Sequence, residues 1–167
     1  MPEKLAPIHR IACGLWLVLL AMVAQAQTLE GHVVCVSDGD SLTLVDAEQQ
    51  AHDLRLAGID APERGQPFGT AARLALAQAV QGRAVRFEVQ KRDRYGRAVG
   101  RLVVDDADVA LSLVEQGLAW HYTRYAHEQS EEERRRYAEA ELEARQAGRG
   151  LWSDPNPVPP WEWRSRH

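Results

Sequence analysis

The chain of 167 residues is 45% hydrophobic and 26% charged, with 20 Lys and Arg against 24 Asp and Glu. That balance predicts one globular domain and excludes collagen-like repeats, low-complexity disorder and a disulfide scaffold. Net acidity also argues against non-specific DNA packaging, which needs a basic excess.

Lys4, His9 and Arg10 precede an uncharged run of 13 residues, Ile11 to Val23, and then Ala24-Gln25-Ala26. The run is shorter than the roughly 20 residues that span a bilayer, and Ala-x-Ala suits cleavage before Gln27. Residues 1–26 therefore read as a signal peptide, with an uncleaved anchor as the other reading. The expected destination is outside the cytoplasm, periplasmic or secreted, with no membrane attachment after cleavage. Removing the leader leaves 141 residues, 18 basic against 23 acidic, with Cys35 as the sole thiol. No internal disulfide is expected, and a chain this long can bury a sufficient core without one.

From Gly31 to Val104, short Val, Leu and Ile runs alternate with Asp, Gly and Pro signals. They predict strands at 32–36, 41–45, 52–56, 84–90 and 98–104. A helix interrupts them over 70–80, where Ala72, Leu76 and Val80 recur every four residues, with Thr70 as its cap and Gly82 after its end. Asp108 caps a second predicted helix that stops at Gly117. Ser130 to Glu133 form a capping box for a third, with Tyr137, Ala140, Ala144, Ala147 and Leu151 along one stripe. The charged run 131–136 reads as a solvated face with Glu131–Arg135 and Glu132–Arg136 pairs. After Trp152 the proline-rich segment predicts an extended tail, residues 155–167, whose Trp161 and Trp163 dock on the domain, with a small interaction surface as the other reading. The order fits a five-stranded Greek-key barrel of the OB type, one of several β-rich options that this pattern allows.

Three stretches place charged groups at strand ends: Asp38-Gly39-Asp40, Arg55 to Glu63, and Asp93 to Arg97. Each is also an ordinary turn signal. Together they supply carboxylates at Asp40, Asp60 and Glu63 and guanidinium groups at Arg55 and Arg97. Phosphodiester hydrolysis needs this inventory: oxygen ligands for a hard cation, planar bidentate donors for the phosphate, and an acceptor to orient water. Asp38 reads equally as a turn stabiliser or as a support for Asp40. Arg83, Arg86, Lys91, Arg92, Arg94 and Arg101 read either as a polynucleotide track or as a charged sheet edge. His121 and His127 read as surface or loop groups. There is no Walker loop, Gly-x-Ser-x-Gly or zinc spacing.

The ordered set Val-Ser-Asp-Gly-Asp-Ser at 36–41, Arg-Leu-Ala-Gly-Ile-Asp-Ala-Pro-Glu at 55–63, Asp-Arg-Tyr-Gly-Arg at 93–97, Glu-Gln-Gly-Leu-Ala at 115–119 and Gly-Leu-Trp-Ser-Asp at 150–154 resembles the staphylococcal nuclease family. The resemblance covers nearly the whole mature chain, with residues 27–154 as the expected nuclease domain. It implies an α+β fold, a five-stranded OB barrel with three helices. It also implies a Ca²⁺-dependent endonuclease cutting single- or double-stranded DNA and RNA that leaves 3′-phosphates; single strands are the expected favoured substrate and a monomer the expected state. By that match Asp40, Asp60 and the Ala61 carbonyl correspond to calcium ligands, Arg55 and Arg97 to phosphate-binding arginines, and Glu63 to the general base. Arg94, Tyr95 and Tyr125 correspond to substrate-binding positions, while Ser41 replaces a threonine and Thr123 stands where the family has a tyrosine. A barrel that binds nucleic acid or protein without catalysis is the alternative, and a third reading makes the Trp161/Trp163 tail a partner site.

Overall fold

A computed structural model describes residues 27–166; the predicted leader, with Cys13, lies outside the described residues. Strands β1 (Thr28–Val36), β2 (Ser41–Asp46) and β3 (Ala51–Leu56) form an antiparallel meander, and a two-residue strand β4 (Ile59–Asp60) follows directly. Helix α1 (Gly69–Val80) then leads to β5 (Ala84–Arg92), which pairs with β1, and to β6 (Ala98–Val104), which pairs with β5. A parallel pairing of Leu54 with Ala98 and of Leu56 with Gly100 joins β6 to β3 and closes the five-stranded barrel. Closure removes the sheet's free edges.

Alternation explains the barrel. Leu42 and Leu44 on β2, Leu54 and Leu56 on β3, and Val85 and Phe87 on β5 point inward at period two, while their neighbours, apart from the buried Ser41 at the site, are exposed or half-buried. Strand β6 is buried on both faces, and the helix over 109–115 packs against it. α1 buries Gly69, Ala72, Leu76 and Val80, the predicted stripe extended by one turn. It starts at Gly69 after Phe68, whose φ is 66°, and no side chain caps it, so Thr70 is not its cap. The tight turn 66–69, closed by the Gly69 N–H on the Gln66 carbonyl at 3.0 Å, sets the start instead.

A short strand β7 (Ala107–Asp108) precedes α2 (Val109–Glu115), where Asp108 accepts from the Leu111 N–H at 3.2 Å as the predicted cap. Strand β8 (Trp120–His121) pairs with β4, and a 3-10 segment over Thr123–Glu128 leads to α3 (Glu131–Gln146). The Ser130/Glu133 capping box is present at 3.2 and 2.8 Å. Tyr137, Ala140 and Ala144 are buried, whereas Ala147 is exposed as the helix's C-terminal cap. Arg135 pairs forward with Glu139 at 3.3 Å rather than back to Glu131. His121 is 6% exposed and bonded to Gln129, which corrects its assignment to the surface.

The C-terminal segment departs from the predicted extended tail: Pro160–Arg166 is a fourth helix, α4. Proline at a helix's first position loses no hydrogen bond and has a suitable fixed φ, and Glu162 early with Arg164 and Arg166 late matches the helix dipole. Trp161 docks against Trp120 and Tyr122, ring centroids 5.6 and 5.4 Å apart. No helix among the described residues is long and apolar enough to cross a membrane.

Candidate active site

The β1–β2 loop presents Asp40. The Asp38 carboxylate accepts the Asp40 N–H at 3.0 Å, so Asp38 stabilises the turn, and the Asp40 carbonyl accepts the Leu56 N–H at 2.8 Å, which ties the loop to the end of β3. Gly39 lies where a Cβ would come within 2.6 Å of the methyl groups of both Ala61 and Ala72. Only glycine lets this loop approach β4 and α1 so closely. The Asp40 carboxylate, 1% exposed, accepts from the Ala61 N–H at 2.8 Å, from Ser41 Oγ at 3.1 Å and from Arg55.

Asp60, fully buried on β4, is fixed by the pairing of that residue with Trp120. Arg55, on β3, reaches Asp60 at 2.8 Å through one terminal nitrogen and Asp40 through the other. One guanidinium thus bridges two carboxylates from different elements. Burial pushes the Asp40 carboxyl up to about 7, against the attraction of Arg55 and with further repulsion from Asp38 and Asp60. Burial also disfavours the Arg55 charge, but Asp40 and Asp60 outweigh it and hold the guanidinium protonated.

Glu63 follows Pro62. Its carbonyl sits 2.1 Å from where a Cβ on Gly69 would be, so glycine is required for α1 to start against it. The Glu63 N–H donates to Gln66 Oε1 at 3.0 Å. Arg97 precedes β6, and Asp93 holds it through the Arg97 N–H at 3.0 Å and Nε at 2.8 Å. Burial of Asp93 opposes its ionisation, yet the Arg97 guanidinium and backbone N–H groups bring its carboxyl below the usual range. Arg97 Nη1 lies 3.5 Å from Ser41 Oγ, next to Asp40.

The structure therefore brings Asp40, Ala61, Arg55, Asp60 and Arg97 into one network, which Glu63 joins through Arg164 of α4. The predicted substrate positions flank it. Tyr95 is 69% exposed, with the Arg94 and Arg97 guanidinium groups 4.7 and 5.7 Å from its ring centroid. Tyr125 carries Lys91 Nζ at 4.7 Å and packs on Tyr122 at 5.5 Å. The wider basic cluster divides: Arg101 and Arg86 pair with Glu88 and Arg83 with Asp105, on the solvated outer surface of strands that are paired on both sides. Lys91, paired with Glu128, and Arg92, bonded to the Gly96 carbonyl, lie nearer the tyrosines.

Sequence reasoning missed three contributors. Asp93 orients Arg97, and the Asp-x-x-x-Arg spacing at a hairpin is the signal that could have found it. Gln66, 7% exposed, links the Glu63 N–H to the Val158 carbonyl at 2.6 Å. Arg164, from α4, donates to Asp60 at 2.8 and 3.2 Å and to Glu63. No local pattern marks that contact, which spans 104 residues.

Among the described residues no group of three or more His, Cys, Asp or Glu side chains forms a metal cage. The donor set is nonetheless suited to a hard cation: Asp40 and Asp60 are carboxylates almost wholly removed from water, and cationic groups already compensate them. An all-oxygen donor set suits a hard cation such as calcium or magnesium better than zinc.

Residues 53–154 match the family of staphylococcal nuclease homologues. The chain belongs to that family. It is 37% identical to an uncharacterised endonuclease of Haemophilus influenzae, over 79% of this chain and 71% of that one. An uncharacterised endonuclease of Escherichia coli O157:H7 is 39% identical over 83% and 86% of the two chains. A micrococcal nuclease of Shigella flexneri is 35% identical over 98% and 95%. The closed barrel with its helices is the fold expected for this family.

Proposed function

We propose that the chain is an exported, calcium-dependent endonuclease that hydrolyses phosphodiester bonds of DNA and RNA. The observation that carries this reading is the pair of buried carboxylates, Asp40 and Asp60, bridged by Arg55, with Arg97 beside Asp40 through Ser41 and Glu63 sharing the Arg164 guanidinium with Asp60. Membership of a nuclease family supports the reaction class.

Asp40 and Asp60, with the Ala61 carbonyl, would hold the cation. When bound it would neutralise charge on the phosphate oxygens. Glu63 orients the attacking water and takes its proton as the new oxygen–phosphorus bond forms. Arg97, steadied by Asp93, and Arg55 donate N–H groups to the phosphoryl oxygens as their negative charge grows. The bond to the 5′ oxygen breaks, that oxygen regains a proton from solvent, and a 3′-phosphate remains. Arg94, Tyr95 and Tyr125 receive the polynucleotide on either side of the cut, by charge and by stacking, which suits single strands. The active form is a monomer.

The test is the rate of cleavage by Glu63→Gln and Arg97→Lys. Loss of the base lowers kcat by about 10²-fold or more and flattens the acid limb of the pH profile. Loss of the planar fork lowers kcat while leaving nucleic-acid affinity nearly unchanged. Normal kcat in both variants would refute the assignment. N-terminal sequencing of the exported product should begin at Gln27.

A further inference from the structure

The C-terminal strap and α4 are attached to the site at three separate points. Gln66, nearly buried, donates to the Val158 carbonyl at 2.6 Å with the same amide that accepts the Glu63 N–H. Trp161 packs on Trp120, the residue paired with Asp60 across β4 and β8, and on Tyr122. Arg164 then directs both terminal nitrogens to the Asp60 carboxylate and one of them to Glu63 as well. Its side chain is still 42% exposed, so it lies over the carboxylates from the solvent side. The two acidic groups that a cation and a water need are both occupied by one guanidinium.

We propose that α4 is a built-in plug, with Arg164 competing with the divalent cation for Asp60 and with the attacking water for Glu63. This rests on the proposed nuclease reading. The planar guanidinium mimics the cation's charge and satisfies carboxylate oxygens bidentately, and Trp161 supplies the apolar contact that keeps it there. Opening needs only that Trp161 and Arg164 leave a half-exposed surface, with the strap still anchored at Val158. Cation binding and tail docking are then mutually exclusive, and the tail weakens apparent cation affinity by the factor by which the docked form exceeds the open one.

The experiment is calorimetric titration of Ca²⁺ into the chain from Gln27 to His167 and into its Arg164→Gln, Arg164→Lys and Trp161→Ala variants. Tryptophan emission is followed in parallel. The expected result is about tenfold tighter Ca²⁺ binding in Arg164→Gln and Trp161→Ala, with Arg164→Lys intermediate. Ca²⁺ should also change the emission of the parent chain as Trp161 leaves Trp120, and change it little in Arg164→Gln. Equal Ca²⁺ affinity in parent and Arg164→Gln chains that both cut nucleic acid would overturn the plug and leave the nuclease standing. A lower kcat in Arg164→Gln at saturating Ca²⁺ would also overturn it, by placing Arg164 in the reaction. If no chain bound a divalent cation or cut nucleic acid, the nuclease reading would fall and the plug with it.

Discussion

Replacing Arg55 by Met keeps the side chain's length and removes the charge between Asp40 and Asp60. Asp40 would retain the Ala61 N–H and the Ser41 hydroxyl, and Asp60 would retain Arg164. Removing one partner of a buried pair costs about 3–5 kcal/mol; with Arg55 one-fifth exposed and Asp60 still paired, about 3 kcal/mol is expected without metal. The cost depends on pH. The folded-state value of Asp40, about 7, lies above the ordinary 3.8, so the folded form holds a proton that the unfolded form loses. Stability from this group is therefore greatest at low pH and falls as pH rises through that window, and the variant, lacking Arg55, falls further. Urea unfolding in chelator at about pH 8 should show the full loss, and at about pH 5 only about 1 kcal/mol, since a protonated Asp40 no longer needs a cation. Millimolar Ca²⁺ at the higher pH should restore part of the loss. A pH-independent difference below about 0.5 kcal/mol would refute the bridging role of Arg55.

Gly39→Ala places a methyl against two methyls on rigid backbones and should cost about 2 kcal/mol in urea unfolding. It should also weaken Ca²⁺ binding, because Asp40 and Ala61 move apart; unchanged stability would mean that the loop has room. Tyr137 is buried and donates to Asp108 at 3.1 Å, so Tyr137→Phe should cost about 1 kcal/mol. Burial raises the Asp108 carboxyl against its Leu111, Tyr137 and Arg101 partners, so its contribution falls as pH rises above the ordinary carboxylate range. Asp108→Asn should flatten that slope, and an unaltered slope would exclude Asp108 as its source. Asp93→Asn should lower kcat with little change in KM or Tm, as expected when Arg97 loses its orientation; a change in Tm with normal kcat would make Asp93 purely structural.

Much of this molecule was legible in the sequence because its barrel strands alternate and its turns are marked. The five barrel strands were readable from their Val, Leu and Ile runs, and Asp108 and Ser130 as caps; which side chains face inward emerged only in the closed barrel. The four-residue stripe of α1 was visible, but its start was not, since Phe68 adopts a left-handed conformation that depends on Gly69 fitting against Glu63. Strands β4 and β8 are two residues each and exist only because distant segments meet. Helix α4 was obscured by the prolines before it, although Pro160 itself favours a helix start. The carboxylates and arginines of the site stood in recognisable motifs, yet the sequence suggested arginines open to phosphate. In the fold, Arg55 is largely enclosed by carboxylates and Arg97 is held by Asp93. The reach of Arg164 to Asp60 follows from tertiary docking of Trp161, which no local pattern encodes.

The most direct test of the account is cleavage of long single-stranded DNA by the chain from Gln27 to His167, with Ca²⁺ or chelator, beside Arg55→Ala and Glu63→Gln. The account predicts internal cutting that requires Ca²⁺ and is lost in both variants. Binding of DNA and RNA without cutting, whatever divalent ion is supplied, would contradict it and leave a non-catalytic binding module.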